Sequence, residues 1–161
     1  MTFDPIDAAA RVAVLALNNA HAQELSWLDT KRLDHLVGQA FYARQVNEAD
    51  AFLIAFEQSA DYDSPNFHWF RDRFERFVYI DRIAVAIAAR GRGLAKALYH
   101  DLFEAARIAG HDRVVCEVNA DPPNAASDAF HAALGFAEIG AAAIHGGKKR
   151  VRYFERRLFP S

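Results

Sequence analysis

The chain has 161 residues, of which 52% are apolar, and a formal net charge of −2. That length fits one domain over residues 1–161 with a real core, and that apolar content excludes an intrinsically disordered chain. Near-neutral charge gives no global reason to expect nucleic acid or a membrane as the main partner, and the single cysteine, Cys116, fits a reducing, cytoplasmic setting.

The early apolar stretch "AAARVAVLAL" follows an acidic start, without the basic flank of a secretory signal. No apolar run approaches the roughly 18–20 residues needed to span a bilayer. "RVAVLAL" (11–17) reads as a first strand. "NNAHAQELSWLDTKRLDHLVGQA" then reads as one or two short helices, with Asn18 or Asn19 as N-cap. "FYARQV" (41–46) and "AFLIAFEQ" (51–58) read as strands around the turn "NEAD", and "SADYDSPNFHWFRDRFE" as a loop with a short helix. "RFVYIDRIAVA" (76–86), rich in β-branched and aromatic residues, is the strongest strand signal.

The second half is more regular. "GRGLAKALYHDLFEAARIAG" places Leu94, Leu98 and Leu102 at helical spacing, with Gly110 as its stop. "DRVVCEVN" (112–119) is a strand, and "NAASDAFHAALG" a helix after Pro122–Pro123. "FAEIGAAAIH" and "KRVRYFERRLF" close as an antiparallel pair around "GGK". The expected class is α/β.

Chemistry concentrates at "RGRGLAKAL", where a strand ends and a helix opens. Gly91 and Gly93 permit backbone conformations that other residues avoid. Free N–H groups of residues 91–96 at the positive end of the helix dipole make an anion site, to which Arg90, Arg92 and Lys96 add charge. The spacing is neither that of a P-loop nor that of a three-glycine dinucleotide fingerprint. The plainer alternative is a tight turn with solvated arginines. In "NAASDAFHAALGF", Asn124, Ser127 and His131 share one helical face, while Phe130 and Leu134 share an apolar one. Seven scattered histidines have no zinc-ligand spacing, so no metal is expected.

The segments "RGRGLA" and "EVNADPPNAASDAFHAALGF" together resemble the two signatures of the GNAT superfamily of acyl-CoA-dependent N-acyltransferases, in order and spacing over residues 77–136. The resemblance implies a mixed, mostly antiparallel sheet with a central splayed parallel strand pair and helices on both faces. It implies transfer of an acetyl, or another short acyl, group from acetyl-CoA to a primary amine by direct attack. The backbone of Ile83, Ala84 and Val85 would pair with pantetheine, residues Gly91, Arg92, Gly93, Leu94, Ala95 and Lys96 would take the pyrophosphate, and the stripe of Asn124, Ser127 and His131 would face the cofactor, with Asn124 in contact with it. His131 falls where relatives carry the tyrosine that serves the leaving thiolate, a match of position and not of residue type. A weak thiolate donor and a base for the amine are both open to it.

The amine must lose a proton, and Glu117 in "CEV" is the first candidate base, with Asp81 and Tyr79, read as sharing a face with Ile83, as alternatives. Glu24, Ser26, Trp27, Tyr62, Asp63, Asn66 and Trp69 are candidate walls for a cationic acceptor. A non-catalytic acyl-CoA-binding module and a different phosphate-ligand enzyme are the rival readings. The closing strands could also pair across a homodimer.

Overall fold

The computed structural model describes residues 1–159, so the last two residues of the expected 1–161 domain lie outside the described range. In chain order the elements are β1 (Asp4–Pro5), α1 (Ala8–Ala20), α2 (Ala22–Leu25), α3 (Thr30–Gln39), β2 (Tyr42–Val46) and β3 (Ala51–Glu57). They continue with α4 (Pro65–Arg71), β4 (Val78–Val85), a 3-10 turn (Ile87–Ala89), α5 (Leu94–Ile108), β5 (Arg113–Asn119), α6 (Ala125–Ala133), β6 (Ala137–Ile144) and β7 (Lys149–Arg157).

The expected first strand at 11–17 is a helix. Asp7 caps it by accepting from the Ala10 N–H at 2.9 Å, and the alanine-rich start is strongly helix-favouring. Val14, Leu17 and Asn18 are buried at helical spacing, while Val12 is 78% exposed, which the alternating pattern had concealed. Asn18 and Asn19 therefore sit in the last turn of α1 and cap nothing. Their amides instead bind the backbone of Ser26 and Leu28, fixing the loop that follows. The cap of α3 is Asp29, accepting from the Arg32 N–H at 2.7 Å. The remaining expected strands and helices are present.

Seven strands form one sheet in the order β1-β2-β3-β4-β5-β7-β6. Every pairing is antiparallel except β4 with β5. One face, carrying Phe52, Ile54, Phe56, Tyr79, Val115 and Tyr153, packs under α1, α3 and α4. The other, carrying Leu53, Val78, Ile80, Val114 and Cys116, packs under α5 and the end of α6.

Two irregularities in this sheet create the site. First, β4 and β5 are paired only at Val78↔Val114 and Tyr79↔Val115, after which the strands splay. Second, β4 carries a bulge at Asp81: Ile54 opposes Arg82 while Ala55 opposes Ile80, so Asp81 has no partner on β3. The extra residue reverses the alternation of faces. Tyr79 and Ala84 belong to the same layer, and Ile83 belongs to the opposite one. The expectation that Tyr79 and Asp81 share a face with Ile83 is corrected by that bulge.

Candidate functional site

Beyond Tyr79 the β5-facing edge of β4 has no strand beside it. The backbone groups of Ile80 to Val85 on that edge are free to pair with an extended ligand, as a missing strand would. Three cavities follow one another along this opening.

The first, about 320 Å³, is bounded by Val85, Ala89, Arg90, Gly91, Gly93, Leu94, Ala95, Lys96 and Phe130. Gly91 and Gly93 have φ of +81° and +72°, the left-handed region that favours glycine. A Cβ on either would meet nothing within 4 Å, so the space above the turn is open. Gly93 is the N-cap of α5 and supplies no side-chain cap. The N–H groups of Leu94, Ala95 and Lys96 thus remain available to an anion at the positive end of a fifteen-residue helix. Uncapped donors, open space and a lysine fit a diphosphate. Arg90 stays at this cavity, near His21. Arg92 departs from expectation: its guanidinium turns back to Asp50, at 3.1 Å, and to the Ala89 carbonyl.

The second cavity, about 240 Å³, lies between the splayed strands. Ile80, Asp81, Arg82 and Ile83 line it from β4, Cys116, Glu117, Val118 and Asn119 from β5, and Tyr99, Asn124, Ser127 and His131 from the helices. Asn124 caps α6 by accepting from the Ser127 N–H at 3.0 Å. His131 is only 7% exposed. Its Nδ1 lies 2.8 Å from the Ser127 carbonyl oxygen, and its Nε2 lies 3.0 Å from the Tyr99 hydroxyl. Burial lowers its pKa below the ordinary range, against the Ser127 hydrogen bond and the Asp128 carboxylate. Both ring nitrogens are therefore engaged within the protein, a different setting from the free donor or free base that its place in the motif left open.

Glu117 occupies the centre. The Tyr79 hydroxyl donates to its Oε2 at 2.8 Å. Burial, followed by the Asp81 carboxylate, raises its pKa from 4.5 to about 7, opposed by the Tyr79 hydrogen bond and by Lys149. A carboxyl group balanced near neutrality is suited to accept and release a proton. Asp81 is differently placed. Tyr62 donates to its Oδ1 at 2.5 Å, and Arg82 donates to its Oδ2 at 2.8 Å while also reaching Asn18 at 3.0 Å. Both Asp81 oxygens already have fixed partners, and this chain of bonds ties α1 to the strand bulge.

The third cavity, about 220 Å³, shares Glu24, Leu25, Asp81, Arg82, Glu117 and Lys149 with the second and adds Ser26, Tyr62, Asp63, Ser64, Asn66, Tyr79 and His145. Five expected acceptor residues, Glu24, Ser26, Tyr62, Asp63 and Asn66, meet here. Trp27 and Trp69 do not. Trp27 is 65% exposed and borders none of the three cavities. Trp69 stacks on Tyr153 at 4.1 Å and presses against Gly140, where a Cβ would approach its ring to 2.5 Å. It is a packing residue.

Sequence reasoning missed Tyr99, Arg82, Lys149 and His145. Tyr99 had a signal: a hydroxyl on the buried leucine stripe of a helix requires a partner. Lys149 and His145 flank a turn and carried none. Among the described residues no group of three or more His, Cys, Asp or Glu side chains could hold a metal ion. Likewise, no described helix is long and apolar enough to cross a membrane.

Residues 11–136 match the family described as acetyltransferase (GNAT) family. No curated protein matches the chain by sequence. Among solved structures, the ribosomal-protein-S18-alanine N-acetyltransferase of Escherichia coli superimposes with a TM-score of 0.71 at 17% identity, covering 99% of this chain and 95% of that one. Ard1 from Thermoplasma volcanium gives 0.75 at 15% identity, covering 99% and 98%. A chain of the NatC complex bound to Gag peptide and CoA gives 0.68 at 15% identity, covering 98% of each. At these identities the likeness speaks for the fold.

Proposed function

The chain belongs to the GNAT acetyltransferase family, and from that premise we propose that it transfers an acetyl, or another short acyl, group from acetyl-CoA to a primary amine by direct attack in a ternary complex. The observation that carries this reading is the alignment of the three cavities, with Glu117 shared by the second and third. The first suits the diphosphate, with the N–H groups of Leu94 to Lys96 as donors and Arg90 and Lys96 as charges. The free edge of β4 at Ile83, Ala84 and Val85 suits the pantetheine amides. The thioester would lie in the second cavity, and the amine would enter from the third.

Glu117 is the base in this reading. An alkyl ammonium with a pKa near ~10.4 must be deprotonated before its nitrogen can attack. A carboxylate near neutrality, steadied by the Tyr79 hydroxyl, accepts that proton directly or through one water. As the N–C bond forms and the C–S bond breaks, the electron pair leaves on sulfur. Asp81, held by Tyr62 and Arg82, shapes the wall instead of taking the proton. Glu24 and Asp63 add acidic groups to the acceptor chamber and Lys149 and His145 basic ones, which suits a polar amine.

The deciding experiment is a thiol-release assay with acetyl-CoA over amino acids, peptide N-termini, polyamines and aminoglycosides. Turnover on at least one amine class, lost in Glu117→Gln, is the expected result. Tight coenzyme A binding without turnover on any amine would favour a binding module and overturn the enzymatic reading.

A further inference from the structure

The hydrogen bonds around His131 fix which group at that corner of the second cavity has a proton to offer. A carbonyl oxygen only accepts, so His131 Nδ1, 2.8 Å from the Ser127 carbonyl, carries the ring hydrogen. Nε2 then presents a lone pair, and the Tyr99 hydroxyl donates to it across 3.0 Å. Phe130, Phe136 and Phe154 enclose the imidazole, while Phe103 and Phe130 hold the Tyr99 ring edge-on. Burial keeps the phenol protonated, reinforced by Cys116 and Glu117 on β5, and keeps the imidazole neutral despite Asp128. A neutral imidazole with both nitrogens engaged has nothing left to donate. The phenolic proton can move by rotation about a single bond.

We propose that Tyr99, on the helix that begins at the glycine turn, is the catalytic residue that donates a hydrogen bond to the coenzyme A sulfur as the C–S bond breaks, and that His131 is the positioning residue that holds the hydroxyl between turnovers. This rests on the acetyl-transfer reading. Tyr99 and His131 line the cavity between the splayed strands together with Ile83, Cys116, Asn124 and Ser127. While the thioester is intact its sulfur is a poor acceptor, and the hydroxyl stays on Nε2. When the electron pair reaches sulfur, an O–H···S⁻ bond to a charged acceptor outweighs the neutral O–H···N bond. The buried phenol does not surrender its proton. The sulfur, whose thiol pKa is near ~8.5, leaves as a stabilised thiolate and takes its proton from solvent on release.

The test compares Tyr99→Phe, His131→Phe, the double variant and Ser127→Ala, the last because its hydroxyl is another donor on that wall. Two quantities are read: kcat with KM for acetyl-CoA, and the ultraviolet absorbance of the thiolate of bound coenzyme A as pH rises. Tyr99→Phe lowers kcat roughly tenfold or more with KM little changed, and moves thiolate ionisation to higher pH. His131→Phe and Ser127→Ala keep ionisation near wild type. The double variant, which leaves no orphaned imidazole nitrogen, matches Tyr99→Phe. Wild-type kcat and ionisation in Tyr99→Phe would overturn the proposal, as would an ionisation shift in His131→Phe or Ser127→Ala that Tyr99→Phe lacks. Wild-type protein that binds coenzyme A but acetylates no amine sinks the functional reading, while the thiolate titration still decides Tyr99. Wild-type protein that binds no coenzyme A overturns both.

Discussion

Replacing Glu117 with glutamine is expected to slow catalysis and stabilise the fold in the same protein. Burial and the nearby Asp81 raise the carboxyl group from 4.5 to about 7, so between those values the folded chain holds a proton that the unfolded chain has released. Stability therefore falls as pH rises through that window, and the full penalty is present above about 7. At about 1.36 kcal/mol per pKa unit the penalty is about 3 kcal/mol. This is an upper figure, because part of the carboxylate faces the cavity and its water. Glutamine keeps the shape and an oxygen for the Tyr79 hydroxyl but cannot ionise. At about pH 8, Glu117→Gln should thus gain up to about 3 kcal/mol in urea unfolding, or roughly 5–10 °C in Tm for a chain of this size. Near pH 4.5, where the folded carboxyl group is protonated and about half of the unfolded ones are too, the gain should largely vanish. Catalysis moves the other way. Wild-type kcat should climb with pH through an inflection near 7, and Glu117→Gln should lose that inflection and about a hundredfold or more in rate. A variant with wild-type kcat at the higher pH, or with the same stability gain at both pH values, would refute the assignment of Glu117 as a buried base.

The groups around Glu117 should tune its titration. Tyr79→Phe removes the donor to Oε2 and Lys149→Met removes a favourable charge, so each should move the kcat inflection above its wild-type position near 7, read from pH–rate profiles at saturating acceptor. A downward move in either would contradict the electrostatics. Arg92 is committed to Asp50, so Arg92→Ala should leave KM for acetyl-CoA close to wild type, while Lys96→Ala, at the open cavity, should raise it several-fold to roughly tenfold. Equal effects would mean that Arg92 swings round to the diphosphate. Gly140→Ala places a methyl group 2.5 Å from the Trp69 ring, itself stacked on Tyr153, and should cost about 1–3 kcal/mol in urea unfolding without changing kcat per folded molecule. A neutral result would mean that the stack is loose.

How much of this was legible in the sequence differs by element, for physical reasons. The glycine turn could be read because its two left-handed residues leave a spacing in the chain, and α5 because its leucines repeat at helical period. The first helix was misread because a short apolar run fits both periods. The deciding information was one cap, Asp7, and an alanine run whose small side chains favour a helix without marking a face. The acceptor walls divided in the same way. Glu24, Ser26, Tyr62, Asp63 and Asn66 converge because α2 with the residue that follows it, and the β3–α4 connection with the first turn of α4, lie on the same side of the splayed strands. Trp69 looked like a recognition residue but found its partner in Tyr153, a residue 84 positions away.

The bulge at Asp81 was the least legible feature and the most consequential one. A strand read with strict alternation puts Tyr79 and Asp81 on the face of Ile83, where the two compete for the role of base. One extra residue in β4 separates them. Tyr79 stays on the face of α1 and α4, where it reaches Glu117. Asp81 is bound by Tyr62 and Arg82 at the opening, and Ile83 turns to the α5 side. The same alternation on β5, which has no bulge, sends Glu117 to the acceptor side and Cys116 to the side of Tyr99 and His131. The two splayed strands thereby divide the proposed reaction between the faces of the sheet. The group placed to take the amine's proton lies on one face, and the group placed to meet the departing sulfur lies on the other. No local motif encodes that division, because it depends on the register of β4 against β3, two strands more than twenty residues apart.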